Sequence, residues 1–393
     1  MEWRAPEFWI RSSPELNDPM SFVSGPRQVG KTWLVRNRFD TKYFNFDTPE
    51  VKKAYAGDPY FFRSEKKLVV LDEIHKRRDW KKLLKGWYDS PTRQENFIVT
   101  GSGRLEIFQK GGDSLQGRYE SFHLMPIVAD ELRSRRGLKE VNARDWKTWE
   151  PDAKGTEDKD LIRFGGFPQP FLWGSEKRLA KWLDEYVDRL IRGDVRDMTR
   201  VIELDKMDLF ARILPKRLMS PLSLKSCAED CEVSPVAIKT WVNIFENLYY
   251  GFMLPPWSRR IERAVKKERK WYFFAWNYAE SEAARFENYL AVQLYSACTY
   301  LRDQGHGRYE LYYLRDQDHR EVDFLICKNL EPVCLIEAKT SEQKIPSALK
   351  WYVEKLKIPG YLIYPDGPTR RHAKNLWAMS SGKFLKGITG LGN

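Results

Sequence analysis

The sequence predicts an α/β fold: a parallel sheet covered on both faces by helices, then a helical region, then a second α/β unit. Three observations carry this. Short β-rich runs alternate with helical stretches over the first 135 or so residues. The apolar run Ser21-Phe22-Val23 leads into a glycine-containing loop, and Trp33-Leu34-Val35-Arg36 leads out of it as a helix. Near the other end, β-rich runs follow one another at 309–314, 322–327 and 333–338. At 393 residues the chain exceeds what one core organises, so two or three domains are expected.

Taken in order, the first strands are expected at 20–24, 43–47, 68–71 and 96–100, each ending at a polar or glycine-containing loop. Ligands of such sheets bind beyond the carboxyl ends of the strands. Residues 142–155 turn polar, with Pro151, Asp152 and Gly155, and read as a connection. Gly165-Gly166-Phe167-Pro168 makes a turn before a helix over 179–201, whose apolar residues Leu179, Trp182, Leu183, Tyr186, Val187, Leu190 and Ile191 recur at helical spacing. Residues 222–254 read as two helices, with Ser234 as N-cap and Pro235 in the first turn of the second. The pair resembles a winged helix and equally fits a structural helix pair. Residues 259–270 hold seven Lys or Arg against two Glu, suited to a phosphate backbone or to a solvated linker. A helix is expected over 287–300.

The formal net charge of +12 fits a polyanionic partner and a solvated basic surface equally well. Five cysteines, Cys227, Cys231, Cys298, Cys327 and Cys334, are odd in number and four of them sit in apolar or mixed segments, so they are expected reduced and packed. Cys227 and Cys231 have no second pair at zinc spacing. The histidines His75, His123, His306, His319 and His372 are scattered, and Trp80, Trp87, Trp182, Trp241 and Trp271 are most simply core residues. Met1-Glu2-Trp3-Arg4 does not resemble a secretory leader, and no apolar run approaches the roughly 20 residues that span a bilayer. A cytoplasmic protein without membrane attachment is expected.

Gly25-Pro26-Arg27-Gln28-Val29-Gly30-Lys31-Thr32 is a phosphate-binding loop placed between a strand and a helix. Its backbone N–H groups face the phosphates, Lys31 holds the β and γ phosphates of ATP, and Thr32 ligates Mg²⁺. Leu68-Val69-Val70-Leu71-Asp72-Glu73 is an apolar strand ending in two carboxylates. Asp72 is expected to hold Mg²⁺ through water and Glu73 to act as general base on the attacking water. In Phe97-Ile98-Val99-Thr100-Gly101-Ser102, Ser102 or Thr100 is the candidate γ-phosphate sensor; both hydroxyls equally fit caps.

These stretches, with Leu71-Asp72-Glu73-Ile74-His75, Ser114-Leu115-Gln116-Gly117-Arg118, Glu321-Val322-Asp323-Phe324 and Ile336-Glu337-Ala338-Lys339, resemble prokaryotic AAA-type ATPases with a C-terminal restriction-endonuclease-like domain. The resemblance covers nearly the whole chain. It implies an AAA-type ATPase domain over 1–135, a helical connection over 136–215, a winged-helix-like region over 216–262 and a nuclease-like domain over 263–393. It also implies that Arg118, with Arg104 the weaker candidate, completes the nucleotide site of a neighbouring copy, and hence a homo-oligomer. The family's Arg-Asp pair is interrupted here as Arg192-Gly193-Asp194.

Glu287 on a helix, Asp323 on a strand, and Glu337 and Lys339 on one face of the next strand resemble the PD-(D/E)XK pattern. In that arrangement Asp323 and Glu337 hold Mg²⁺ or Mn²⁺ against a scissile phosphate, while Lys339 stabilises the developing charge. The expected function is ATP hydrolysis coupled to action on nucleic acid, DNA before RNA, by a nuclease-like domain. A nucleotide-controlled regulatory or defence switch that binds DNA or protein without cleavage stands as the alternative. The Asp72-Glu73 pair and the long C-terminal region argue against a small-molecule kinase.

Overall fold

The computed structural model describes residues 18–37, 39–63, 65–77, 79–101, 103, 115–133, 158–196, 203–258 and 269–386. Two compact units emerge, one formed by residues 1–125 with 247–249, the other by 126–246 with 250–393.

The first unit is built on a five-stranded sheet: β1 (Met20–Ser24), β2 (Lys42–Asn45), β3 (Leu68–Asp72), β4 (Asn96–Gly101) and β5 (Tyr119–His123), in the order β2-β3-β4-β1-β5. Every pairing is parallel. The three inner strands are buried at every residue, as a parallel sheet covered on both faces requires. Phe22, Phe62, Trp80, Leu84, Trp87 and Phe97 pack into one core on the sheet. The strands expected at 20–24, 68–71 and 96–100 are present, the last two each one residue longer; the strand expected at 43–47 runs instead over Lys42–Asn45. β5 had no clear signal because Tyr119-Glu120-Ser121-Phe122-His123 mixes polar and apolar residues, which an edge strand tolerates.

In the second unit, Ser175 caps the helix Glu176–Arg189, which passes into a wider π turn over Leu190–Val195 containing Arg192, Gly193 and Asp194. Residues 197–201 of that expected helix, like the polar connection at 142–155, lie outside the described residues. The helices Leu224–Asp230 and Pro235–Asn247 follow, and the Ser234 hydroxyl accepts the Ala237 N–H as the expected cap. After them β6 (Gly251–Leu254) pairs antiparallel with β7 (Lys270–Phe273), and Pro221 adds a bridge to Lys270. β7 thus begins at the last residue of the basic run. Lys270 is 1% exposed, so it is neither a solvated linker residue nor a surface contact for phosphate; residues 259–268 of that run lie outside the described residues.

A 22-residue helix, Glu282–Asp303, capped by Ser281, is buried around most of its circumference. It packs on a six-stranded sheet of β8 (Tyr309–Arg315), β9 (Glu321–Lys328), β10 (Glu331–Ala338), β11 (Gly360–Tyr364), β12 (Arg370–Ala373) and β13 (Leu376–Ser380), ordered β12-β13-β11-β10-β9-β8. β8, β9 and β10 form an antiparallel meander, and β10, β11 and β13 run parallel. The helix Ser347–Leu356 connects β10 to β11 and packs Leu349 and Tyr352 against Leu325, Leu335 and Leu362. All five cysteines are buried free thiols, and the five tryptophans assigned to packing are all buried. Among the described residues no helix is long and apolar enough to cross a membrane.

Gly251, at the start of β6, lies against Trp271. A Cβ placed there would stand 2.3 Å from the indole and 2.4 Å from the Tyr272 carbonyl oxygen. Gly251→Ala is expected to destabilise the second unit by about 1–3 kcal/mol through overpacking. Thermal denaturation of the full chain reads this, and an unchanged midpoint would contradict the packing described.

Candidate functional site

The parallel register brings the carboxyl ends of β1, β3 and β4 together, and the loop Gly25–Thr32 leaves from the first of them. Gly25 is required by close approach: with φ at +151°, a Cβ there would lie 2.1 Å from the Leu124 carbonyl oxygen. Gly30, also at positive φ, precedes the helix Lys31–Asn37, and its carbonyl accepts the Leu34 N–H. The buried Lys31 ammonium donates to the Gly25 and Pro26 carbonyls at 2.8 Å each, which keeps it inside the loop it closes.

Asp72 ends β3 and is 5% exposed. Its Oδ2 accepts from Thr32 Oγ1 at 3.0 Å and from the Tyr43 hydroxyl at 2.5 Å, and its Oδ1 accepts from Thr100 Oγ1 at 2.5 Å. Thr32 and Asp72, expected to share a metal ion, are therefore neighbours although 40 residues separate them. Thr100 reaches this carboxylate; Ser102 and Arg104 lie outside the described residues. Sequence reading missed Tyr43. Burial and then its bond to Asp72 push its phenol up, so it remains a donor.

Glu73 adopts a left-handed backbone, φ 58° and ψ 21°, which costs a non-glycine residue roughly 1–2 kcal/mol. Its N–H donates to the Thr100 carbonyl, fixing β3 to β4 at the site. Glu73 Oε2 is buried and accepts no hydrogen bond; the Lys76 ammonium stands 3.5 Å away and His75 Nε2 3.7 Å away. Burial raises the Glu73 carboxyl, against the opposing fields of Lys31 and Lys76. A buried acceptor without a hydrogen bond, beside a threonine–aspartate pair, suits the oxygen that would take a proton from water. These residues fit Mg²⁺ and nucleotide: Thr32 and Asp72 would hold the ion, and Lys31 the phosphates.

Arg118 precedes β5 at its amino end, about 13 Å of strand from the edge that carries the loop. It therefore does not reach the nucleotide site of its own chain. Its guanidinium grips Asp89 with two bonds of 2.8 and 2.9 Å, and that bond holds the Asp89 carboxyl below the usual carboxylate range.

The C-terminal residues named from sequence are brought together. Asp323 on β9 and Glu337 on β10 lie on adjacent strands, and Glu287 projects from the helix Glu282–Asp303. Asp323 Oδ2 accepts the Ala338 N–H at 2.9 Å, and Lys339 Nζ donates to Glu337 Oε1 at 2.7 Å. Burial, then repulsion from Asp323, pushes Glu287 and Glu337 up to about 7. The Tyr272 hydroxyl donates to Glu287 Oε1 at 2.7 Å.

A fifth charged group, Lys270, completes this cluster. Its Nζ lies 2.6 Å from Glu321 Oε1, 3.8 Å from Glu287 Oε1 and 4.0 Å from Asp323 Oδ1. Burial alone would depress this lysine, but Glu287, Asp323 and Glu321 outweigh it and push it up to about 12. The sequence signal was a lysine opening the apolar run Trp271-Tyr272-Phe273-Phe274. As they stand the carboxylates do not fit a divalent ion, because an ammonium already lies among them. Among the described residues no group of three His, Cys, Asp or Glu is arranged to hold a metal ion.

Residues 17–133 match the family model described as an AAA domain, which supports an AAA-type ATPase family and ATP-binding activity. Residues 157–274 and 283–382 match models described as domains of unknown function (DUF8612 and DUF4143). An uncharacterized protein of Methanocaldococcus jannaschii is 24% identical over 365 residues, covering 86% of this chain and 79% of the relative. Uncharacterized proteins of Mycobacterium bovis and Mycobacterium tuberculosis are each 21% identical over 367 residues, covering 88% of this chain and 76% of the relative.

Burial drives the His75 imidazole down to about 4 from an ordinary 6.5. The unfolded chain therefore binds this proton first, and stability is lost as pH falls from about 6.5 towards 4, by on the order of 3 kcal/mol in all. Unfolding midpoints at pH 7 and pH 5 should show a smaller acid loss in His75→Gln than in the unaltered protein; equal losses would contradict a neutral buried His75.

Proposed function

We propose that this chain binds ATP with Mg²⁺ and hydrolyses it, using the energy to control a C-terminal unit that engages nucleic acid without cutting it. The observation that carries the first half is the convergence of Lys31, Thr32, Asp72 and Glu73 at one edge of the sheet, with Glu73 Oε2 buried and accepting no hydrogen bond. Mg²⁺, when bound, neutralises phosphate charge. Lys31 then holds the β and γ phosphates, Thr32 and Asp72 position the ion, and Glu73 takes the proton of the attacking water. The raised Glu73 carboxyl suits that task, because a base poised nearer neutrality accepts a proton more readily. Arg118 lies at the opposite edge of its own sheet, which supports its service to a neighbouring copy, with Asp89 as the partner it leaves on assembly.

The net charge of +12 accommodates nucleic acid as the partner, DNA first. So does the chain order in the second unit: two helices joined by a short turn, Leu224–Asp230 and Pro235–Asn247, followed by the β6–β7 ribbon. That order supports the winged-helix reading. Binding without cleavage is favoured over a metal-dependent nuclease because Asp323, which would ligate the metal, shares the Lys270 ammonium with Glu287 and Glu321.

Two measurements follow. Purified protein should release phosphate from ATP, and Glu73→Gln should lower that rate by roughly 10²-fold or more while ATP still binds; undiminished turnover would remove Glu73 from the mechanism. The protein should bind duplex DNA with an affinity that falls steeply as salt rises, and leave it uncut with Mg²⁺ or Mn²⁺. Metal-dependent cleavage lost in Asp323→Ala would overturn the non-cleaving reading.

A further inference from the structure

We infer that Lys270 is a built-in cation, taking the place of a divalent metal among Glu287, Glu321 and Asp323. The inference rests on the non-cleaving reading of the C-terminal unit. Its first support is position: one ammonium lies within 4.0 Å of oxygens from Glu321, from Glu287 of the nuclease-like pattern and from Asp323, one of its two expected metal ligands. Mg²⁺ would need such oxygens at about 2.0–2.1 Å, so an ion drawing on both Glu287 Oε1 and Asp323 Oδ1 would compete with Nζ for the same space.

The second support is how firmly Lys270 is held. Its backbone pairs with Leu254 in the β6–β7 ribbon and bridges Pro221, and its side chain is 1% exposed. The ammonium also stands 5.4 Å from the centre of the Tyr313 ring, so its remaining side faces an aromatic surface. A surface lysine that folds into an acidic patch has neither feature. The third support is that three further carboxylate oxygens are already engaged. Asp323 Oδ2 accepts the Ala338 N–H, Glu337 Oε1 accepts from Lys339, and Glu321 Oε2 faces Arg315 at 3.6 Å. Burying several carboxylates together is costly unless a cation compensates, and here lysines and an arginine supply the charge.

The test is Mn²⁺ uptake by the nucleotide-free full chain, followed by electron paramagnetic resonance and by thermal unfolding. The unaltered protein and Asp323→Asn should take up equal amounts of Mn²⁺. Lys270→Met should unfold several degrees lower and gain about one Mn²⁺ per chain. Excess Mn²⁺ should restore its midpoint where an equal ionic strength of KCl does not. Adding Asp323→Asn to Lys270→Met should abolish both the uptake and the restoration. A Mn²⁺ ion bound by the unaltered protein and lost in Asp323→Asn would overturn the inference, as would a folded Lys270→Met protein that takes up none. Should Lys270→Met fail to fold, the comparison of the unaltered protein with Asp323→Asn decides alone. Mn²⁺ uptake reports on the lysine and DNA cleavage on the non-cleaving reading, so the two fail separately.

Discussion

The Asp72 carboxylate accepts hydrogen bonds from hydroxyls on three elements: Thr32 after the phosphate loop, Tyr43 on β2 and Thr100 on β4. A carboxylate 5% exposed is costly to bury unless its oxygens are paired, and hydrogen bonds to a charged group contribute about 1.5–3 kcal/mol each. This set of bonds therefore fixes where β2, β4 and the loop sit relative to β3. It also keeps a negative charge and a threonine hydroxyl together, which is what a phosphate-bound metal ion requires. Glu73, strained into a left-handed conformation one residue later, inherits its position from the same strand end.

Legibility in the sequence followed the range of the interaction. The phosphate loop, the Asp72-Glu73 pair and the inner strands are local strings, and an apolar run flanked by polar residues specifies a doubly covered parallel strand almost by itself. The edge strands β2 and β5 pair on one side only, so their sequences are less constrained; one was misplaced and the other unread. Tyr43 was invisible because its role depends on β2 lying beside β3 with Asn45 opposite Asp72, a pairing no local pattern encodes.

The C-terminal unit shows the same limit in its charges. Glu287, Asp323, Glu337 and Lys339 were legible from residue type and strand alternation, and the antiparallel pairing of β9 with β10 does bring the strand residues together. Lys270 was counted with the basic run before it, since seven cations in twelve residues resemble a surface feature. Only its ion pairs with Glu287, Glu321 and Asp323, residues distant in sequence, show that it faces the acids. One buried lysine thus bears on the chemistry expected of the four positions named from sequence.

The account depends most on Asp72 and Thr32 acting together on a nucleotide-bound metal. Equilibrium binding of a non-hydrolysable ATP analogue, with and without Mg²⁺, to the unaltered protein and to Asp72→Asn tests this most directly. The predicted result is binding that Mg²⁺ tightens in the unaltered protein, and residual metal-independent binding through Lys31 in the variant. Affinity indifferent to Mg²⁺, or a Mg²⁺ effect that survives in Asp72→Asn, would contradict it.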